Sequence, residues 1–191
     1  MKKSFITSIR MILIMTVITG LIYPLFITGI SQAFFHKKAQ GSIVEKGGII
    51  VGSELIGQAS DSGAYFWPRP SAANYQTLPS GASNYSWTDQ RLKKLVADRK
   101  ESFLKGNMLS DTVTVPAEML FASASGLDPH ISPRAAFLQV DRIAKSRGFN
   151  DDQKQKLISL VTKMNEKRQY SVFGEERINV FLLNLELDKI K

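Results

Sequence analysis

The strongest pattern in the sequence is an uncharged run of 25 residues, from Met11 to Phe35, composed mostly of Ile, Leu, Met, Val and Phe with some small residues. As a helix rising about 1.5 Å per residue, this run would be ~37 Å long, which is enough to cross a hydrocarbon core of ~30 Å. The pattern therefore predicts one transmembrane helix over residues 11–35. Pro24 lies in its middle and predicts a kink, which a membrane helix tolerates when neighbouring groups satisfy the freed carbonyl.

A cleavable secretory signal is the alternative interpretation of this N-terminal run, because basic residues precede it. The run is longer than the ~7 to 15 residues of a signal, and no clean Ala-x-Ala site follows it, so a retained anchor is favoured. The flanking charges leave the orientation of the helix open, because the two sides nearly match. Lys2, Lys3 and Arg10 precede the run, and Lys37, Lys38 and Lys46 follow it.

The rest of the sequence is organised as a short linker and one domain. Residues 1–10 form a short tail before the anchor, residues 36–47 are polar and glycine-containing as in a linker, and residues 48–191 form the domain. Strands and helices mix along this domain without a repeat or a Rossmann rhythm, which predicts the α+β class. The predicted elements are strands at 49–51 and 54–56, a loop at 58–87, a helix at 88–105, a strand at 111–115, a helix from Pro133 to Gly148, a helix from Asn150, and a strand at 178–187. Gln153 lies in capping-box position for the helix that begins at Asn150.

The predicted loop at 58–87 is rich in aromatic side chains. It contains both tryptophans and three of the seven prolines of the chain. A long irregular segment with so many rings is expected to be ordered. Two interpretations stay open: Tyr65, Phe66 and Trp67 cap the core of the domain, or part of the loop meets a partner protein, since Trp, Tyr and Arg are favoured interface residues.

Composition and charge remove several classes of function. The chain has no cysteine, which excludes disulfides, thiolate metal sites and a cysteine nucleophile. The 25 Lys and Arg residues exceed the 17 Asp and Glu residues only modestly, without a recognisable nucleic-acid module. A basic surface beside anionic lipid explains this excess better than nucleic-acid binding.

Motifs for chemistry are weak in this sequence. No Gly-x-x-x-x-Gly-Lys-Ser/Thr phosphate loop is present, and the only histidines are His36 and His130, without the spaced ligands of a zinc site. Ser125, Asp128 and His130 lie within six residues and offer a hydrolase hypothesis. A tight turn is the favoured interpretation, because catalytic triads are assembled from separate elements and no Gly-x-Ser-x-Gly pattern surrounds Ser125.

Several ordered motifs together resemble the C subunit of the bacterial Kdp potassium-transporting P-type ATPase, nearly from end to end. They are GSELIGQ (52–58), YFWPRPSAANY (65–75), SGASN (80–84), SASGLDPHISP (123–133), QVDRIAKSR (139–147) and GEERINVFLLNLELD (174–188). Two positions depart from the family pattern. Ala82 stands where the family tends to have a second glycine, which weakens any phosphate-loop role, and Arg142-Ile143 stands where it tends to have arginine-valine.

The resemblance implies an accessory pump subunit in the cell membrane, with a cytoplasmic N-terminus and an extracytoplasmic domain after residue ~36. The implied partners are a pore-forming potassium-binding subunit, an ATP-hydrolysing P-type subunit, a small single-span subunit and membrane lipid. ATP and Mg would be bound by the hydrolysing partner, and K⁺ would be the transported ion. The family is also described as a catalytic chaperone that raises the ATP affinity of that partner. The chain lacks the Asp-Lys-Thr-Gly phosphorylation signature, since Ile190 follows Asp188-Lys189.

The side chains expected to face a partner lie mostly in these motifs. They are Trp67, Arg69, Pro70, Asn84, Asp128, His130 and Asn179. No catalytic residue, metal ligand or directly bound cofactor is expected. A membrane-tethered hydrolase and an outward-facing ligand-binding module are the alternative functions.

Overall fold

The computed structural model describes residues 2–190 and contains two compact units. The first unit ends at Ser53, and the second begins at Glu54. The first contains the apolar helix and a small β-hairpin, and the second contains the mixed α/β domain. The predicted α+β class with one N-terminal apolar helix is confirmed.

One unbroken helix of 33 residues runs from Lys2 to Phe34, with a mean hydropathy of 2.2 in its most apolar window. It comprises α1 (Lys2–Val17), a π-helical segment (Ile18–Ile22) and α2 (Tyr23–Phe34). The predicted helix is confirmed, although it begins at Lys2 rather than at residue 11. The residues before the run contain no Gly or Pro to end the helix, and the Thr7 and Ser8 hydroxyls are accommodated in it by donating to carbonyls one turn earlier.

The π-helical segment lies immediately before the proline of this helix. The Tyr23 N–H donates to the carbonyl of Ile18, five residues earlier, as a π-helix requires. Pro24 has no N–H to donate, so the backbone is irregular where the proline interrupts the hydrogen-bond ladder. The widened turn therefore lies where the sequence predicts a kink. The bend itself stays a prediction.

A short helix and a hairpin follow the long helix in the first unit. They are α3 (His36–Ala39), β1 (Ile43–Lys46) and β2 (Ile49–Ser53), and the two strands are antiparallel. Gly47 and Gly48 form the connection with φ values of 62° and 79°, the left-handed conformation that a two-residue hairpin turn needs. The strand predicted at 49–51 is confirmed within β2. Residues 36–47, expected as a linker, contain α3 and β1.

The strand predicted at 54–56 is wrong, because these residues form a turn and irregular backbone. Backbone groups of this stretch and of the glycine after it bond to a side chain and to a loop. The Asn179 side chain donates to the Glu54 carbonyl at 2.8 Å, and the Gly57 N–H donates to the Leu127 carbonyl at 2.6 Å.

The first helix of the domain is α4 (Gln90–Gly106), which confirms the predicted helix. Asp89 caps its N-terminus by accepting a hydrogen bond from the Arg91 N–H at 2.8 Å. The strand predicted at 111–115 is wrong. Hydroxyl-bonded turns at Ser110 and Thr112 occupy this stretch instead, and a 3-10 helix (Ala117–Met119) follows Pro116.

Three helices, α5 (Pro133–Phe137), α6 (Val140–Arg147) and α7 (Asp151–Lys163), follow in close succession. The single helix predicted from Pro133 to Gly148 is divided, because the Gln139 N–H bonds the carbonyl three residues earlier and tightens the turn. The capping box predicted at Asn150 is confirmed, with Asn150 and Gln153 exchanging side-chain to backbone hydrogen bonds.

The predicted C-terminal strand is wrong over most of its length. Only Ile178–Asn179 forms a strand, β4, which pairs antiparallel with β3 (His130–Ile131), and Val180–Leu187 is a helix, α8. Alternation was uninformative here because nearly every position is apolar. The buried positions Val180, Leu183 and Leu187 follow helical spacing, and Asn179 caps the helix through the Leu182 N–H.

The core of the domain lies where the helices meet the aromatic loop. Phe66, on the loop, is fully buried among apolar residues of α4 to α8. The part of the long loop around Phe66 therefore belongs to the core, and the order of the rest of the loop stays a prediction. The other fully buried large apolar side chains in the described residues are Ile131, Ile143, Leu157, Val161, Ile178, Leu183 and Leu187.

Candidate functional site

The Tyr65-Phe66-Trp67 segment is attached to the helices by side-chain amides that bond its backbone. The Phe66 N–H donates to Asn184 Oδ1 at 2.8 Å, and Asn184 Nδ2 donates back to the Phe66 carbonyl at 3.0 Å. The Trp67 N–H donates to Gln139 Oε1 at 2.7 Å. An extended segment without a neighbouring strand needs such partners, because buried backbone groups are costly when unpaired.

Arg142 on α6 connects the same segment to α4. Its guanidinium donates to Asn107 Oδ1 at 2.8 Å, to the Tyr65 carbonyl at 2.9 Å and to Gln139 Oε1 at 2.8 Å. The guanidinium carbon also lies 4.1 Å from the centre of the Trp67 ring. Burial lowers the pKa of Arg142 to about 10, which leaves the side chain charged at neutral pH.

A second polar cluster joins the aromatic loop to β3. Asp128 accepts from Arg69 Nη1 at 2.6 Å and from the His130 backbone N–H at 3.0 Å. His130 Nδ1 lies 3.2 Å from the same carboxylate. The Tyr75 hydroxyl donates to the Arg69 carbonyl at 2.6 Å, so Arg69 is held both at its backbone and at its guanidinium.

The electrostatics of this cluster favour an ionised Asp128. Burial alone would raise its pKa, but hydrogen bonds from His130 and Arg69, with the charge of Arg69, outweigh burial and lower the pKa to about 2. Nearby, burial raises the pKa of the Tyr75 hydroxyl to about 12, so this group stays a neutral donor. At neutral pH the cluster is therefore a fixed ion pair.

The cluster lines an open cleft of about 880 Å³ with charges of both signs. Arg134 and Glu118 line the cleft near β3, and further charged side chains line it from the segment 168–177 between α7 and β4. Most charged groups already have partners: Arg168 pairs with Glu175 and Arg177 pairs with Glu166. The Arg69 Nε is buried without a hydrogen-bond partner among the described residues. The cleft therefore combines paired charges with apolar surface.

The hydrolase arrangement is not assembled in the described residues. Ser125 Oγ accepts from the Leu127 backbone N–H at 3.1 Å, as in a serine-stabilised turn, and its side chain is exposed. His130 Nδ1 faces Asp128. Within residues 2–190, no hydrogen bond joins Ser125 to His130. No group of three or more His, Asp or Glu side chains in those residues could hold a metal ion.

The structure brings together only some of the residues predicted to face a partner. Arg69, Asp128 and His130 form one cluster, and His130 pairs with Asn179 across the β3 and β4 strands. Asn179 is buried, where it caps α8 and bonds the Glu54 carbonyl. A partner role for these four residues stays a prediction.

The remaining predicted residues lie in different surroundings. Trp67 packs against the core, as the core interpretation expects. Its ring makes an edge-to-face contact with the Phe103 ring, with ring centres 6.4 Å apart. Asn84 is exposed with a φ of 53°, and Pro70 is half-buried. Pro24 lies in the apolar helix of the first unit. Their partner contacts also stay predictions.

The sequence interpretation missed the polar residues that hold the aromatic segment. Gln139, four residues before the buried Ile143, could have been recognised as a polar residue on an apolar helix face. Arg142 precedes Ile143 directly and was recognised only as part of a motif. Asn184 was missed because the mistaken strand at 178–187 gave it no role in the core.

The structure combines a membrane-length apolar helix with a small α+β domain whose aromatic segment is held by polar side chains. No catalytic triad is assembled in residues 2–190. These features define a class of single-helix proteins with an appended domain. The family model described as "KdpC: K+-transporting ATPase, c chain" matches residues 5–189. The chain belongs to the KdpC family.

Curated relatives match along almost the whole chain. A Potassium-transporting ATPase KdpC subunit from Leptospira interrogans is 49% identical over 181 residues, covering 95% of this chain and 91% of the relative. One with the same name from Geobacter metallireducens is 46% identical, covering 96% of each chain. A third, from Geotalea uraniireducens, is 43% identical and covers 98% of each. The expected family is thus confirmed.

Proposed function

We propose that this chain is the accessory subunit of an ATP-driven potassium uptake pump, anchored in the cell membrane and stabilising the assembled complex. This proposal rests on the helix Lys2–Phe34. The most apolar window of this helix is not buried by any other part of the chain that the structure describes. Such a surface in water would be strongly unfavourable, so lipid and partner helices are the environment it suits. Family membership supports the pump as the source of those helices.

The proposed topology places the N-terminus in the cytoplasm and the domain from Glu54 outside. The resemblance to the family supports this orientation, since flanking charges leave it open. The proposed partners are the pore-forming potassium-binding subunit, the ATP-hydrolysing subunit and the small single-span subunit. In this arrangement the anchor packs on the pore subunit and the outer domain lies over the potassium entrance.

The proposed effect on ATP affinity is indirect. A domain outside the membrane is separated from cytosolic ATP by ~30 Å of hydrocarbon, so contact with nucleotide bound by the hydrolysing partner is excluded by distance. Coupling through helix packing is thermodynamically allowed and reciprocal: if this chain raises ATP affinity, ATP binding strengthens its attachment to the complex. ATP, Mg and K⁺ are therefore ligands of the partners, and we expect this chain to bind none of them directly.

Co-purification tests the proposal. Full-length tagged chain, co-expressed with the other pump subunits and extracted in mild detergent, should recover the large polytopic subunit. ATP hydrolysis by that complex should show a lower KM for ATP than the complex lacking this chain. Recovery of the chain alone under conditions that keep the remaining subunits assembled would contradict the proposal. Tight ATP binding by the chain alone would contradict the indirect mechanism.

Asn84 offers the cleanest single test of a partner contact. Its side chain is exposed and its backbone has a φ of 53°, so Asn84→Gly keeps the backbone conformation while it removes the amide. Reduced recovery of the complex, with unchanged stability of the chain, would support Asn84 as a partner contact. Equal recovery would remove it from the proposed interface.

The cleft of about 880 Å³ favours a ligand-binding module as the second candidate function. A ligand-binding module would act without the pump and would bind a polar solute in the absence of other subunits.

A hydrolase would lose activity in Ser125→Ala, whereas the accessory subunit should retain full complex recovery and full pump activity in that variant.

A further inference from the structure

The hairpin formed by β1 and β2 carries apolar side chains at its tip that nothing in its own unit covers. Ile49 and Ile50 are 70% and 63% exposed, and Ile43 at the start of β1 is also exposed. Isoleucine is favoured on a sheet surface that packs against something apolar. Adjacent exposed isoleucines at a hairpin tip are therefore a candidate contact surface, and the occupant has to be argued from their surroundings.

The strand register gives this tip an amphipathic character. Ile49 pairs with Lys46, and Ile50 pairs with Glu45. Paired residues in an antiparallel ladder project on the same face, so each face of the tip carries one isoleucine beside one charged residue. A dry protein interface would bury both charges at a cost. The headgroup region of a bilayer accepts apolar and charged groups side by side.

The chain keeps the hairpin close to the end of the apolar helix. Eight residues separate Phe34 from Ile43, and half of them form α3, so they span at most ~20 Å. The Ser42 N–H donates to the Lys37 carbonyl at 2.9 Å, and Ser53 Oγ donates to the Gly41 carbonyl at 2.6 Å. These bonds fix the base of the hairpin to the residues that follow the helix.

The residues around this junction match a lipid surface in charge and chemistry. Phe34 and Phe35, at the end of the apolar helix, are exposed, and aromatic side chains are favoured at the membrane interface. His36, Lys37 and Lys38 follow them in α3, and all three are exposed. Basic residues directly beside a membrane helix attract the phosphate groups of anionic lipids.

We propose that the hairpin tip, comprising Lys46, Ile49 and Ile50, inserts into the headgroup region of a bilayer containing anionic phospholipid, as a second membrane contact beside the long helix. The isoleucines enter the boundary with the acyl chains, Lys46 and the α3 lysines lie at phosphate level, and Glu45, which pairs with Ile50, stays on the water side of the phosphates. This contact requires the Lys2–Phe34 helix to be embedded, which is part of the proposed function, but it does not require assembly of the pump. It would hold the start of the domain near the membrane surface.

The absence of cysteine from the chain allows a direct depth measurement. A nitroxide label is placed at Ile49→Cys in the full-length chain, in nanodiscs of phosphatidylethanolamine and phosphatidylglycerol. Collision rates with oxygen and with a water-soluble nickel chelate report depth. Phe26→Cys in the apolar helix is the bilayer reference, and Leu78→Cys, 87% exposed in the domain, is the water reference.

The label at position 49 should be shielded from nickel at least about threefold relative to position 78, with raised oxygen contact, and this shielding should decrease in phosphatidylcholine nanodiscs. Equal nickel access at positions 49 and 78, with position 26 protected, would overturn the hairpin contact and leave the proposed function intact. Nickel access at position 26 would overturn both. Shielding of position 49 from nickel and oxygen alike, appearing only in the assembled pump, would show a protein occupant and overturn the lipid assignment.

Discussion

The carboxamide of Asn184 pairs with the backbone of Phe66 in both directions, accepting from its N–H at 2.8 Å and donating to its carbonyl at 3.0 Å. One side chain on α8 thus replaces the strand that an extended segment would otherwise need. The contact joins residues 118 positions apart in the sequence. It holds the fully buried Phe66 ring in the core.

Asn184→Ala should therefore destabilise the domain strongly. The substitution leaves a buried N–H and a buried carbonyl without partners, and each costs about 1–3 kcal/mol, so we expect a loss of about 2–4 kcal/mol in the free energy of unfolding. Urea denaturation of the full-length chain in detergent, followed by tryptophan fluorescence, measures it. Gln155→Ala, at an exposed position of α7, is the matched control and should change stability by less than about 0.5 kcal/mol. A similar small effect at Asn184 would contradict the assigned role.

The contact between Gly106 and Trp67 predicts that alanine at position 106 lowers stability, although helix propensity alone predicts a gain. Alanine in a helix normally gains up to about 1 kcal/mol over glycine. A Cβ at Gly106 would instead collide with Cη2 of the Trp67 ring and lie 2.9 Å from its Cζ3. Gly106→Ala should therefore lower stability by about 1–3 kcal/mol, because overpacking displaces the ring.

A double variant separates the collision from other effects of Gly106. In a Trp67→Leu background the ring is absent, so adding Gly106→Ala should be neutral or stabilising. Thermal unfolding of the wild type, the two single variants and the double variant gives the coupling between the two positions. Equal destabilisation by Gly106→Ala in both backgrounds would show that the tryptophan is not responsible.

Asp128 predicts a specific loss of stability in acid. Its pKa, about 2, lies below the usual value, so its contribution is present above the usual pKa and is lost as pH falls towards about 2. Because 30% of the side chain remains exposed, we expect only about 1–2 kcal/mol from this carboxylate at pH 7. Asp128→Asn should show that deficit near neutral pH.

The pH series provides the check on this carboxylate. The stability difference between wild type and Asp128→Asn should shrink steadily between about pH 4 and pH 2, where the wild-type carboxylate becomes protonated. Asp61→Asn, at an exposed loop position, controls for the general loss of negative charge. A difference that stays constant across this range would indicate that packing, and not charge, accounts for the effect.

The two tryptophans should respond differently to a soluble quencher. Trp87 is 85% exposed, whereas Trp67 packs against the core and bonds the Ser62 carbonyl through its indole N–H. Trp87→Phe should shift the remaining emission to shorter wavelength and reduce acrylamide quenching severalfold, because solvent collision depends on exposure. Trp67→Phe should leave an emission that is quenched readily. Similar quenching of both variants would contradict the core position of Trp67.

Local patterns were sufficient to predict much of this fold. The apolar run, the helix after Asp89 and the capping box at Asn150 depend on neighbouring residues, so sequence alone identified them. The candidate cluster was predicted in part, because Asp128 and His130 are close in sequence. Arg69 lies 59 residues from Asp128, and its pairing could not be derived from spacing.

By itself, the sequence determined the membrane-length helix, the capping box at Asn150 and the family, because these depend on local periodicity and on motifs. Only the tertiary structure decided that residues 180–187 form a helix, since apolar residues that fall on every side of a helix have no periodicity that separates helix from strand. It also decided that Gln139, Arg142 and Asn184 hold the aromatic segment. Hydrogen bonds between residues 72 to 118 positions apart exist only once the chain has folded around them.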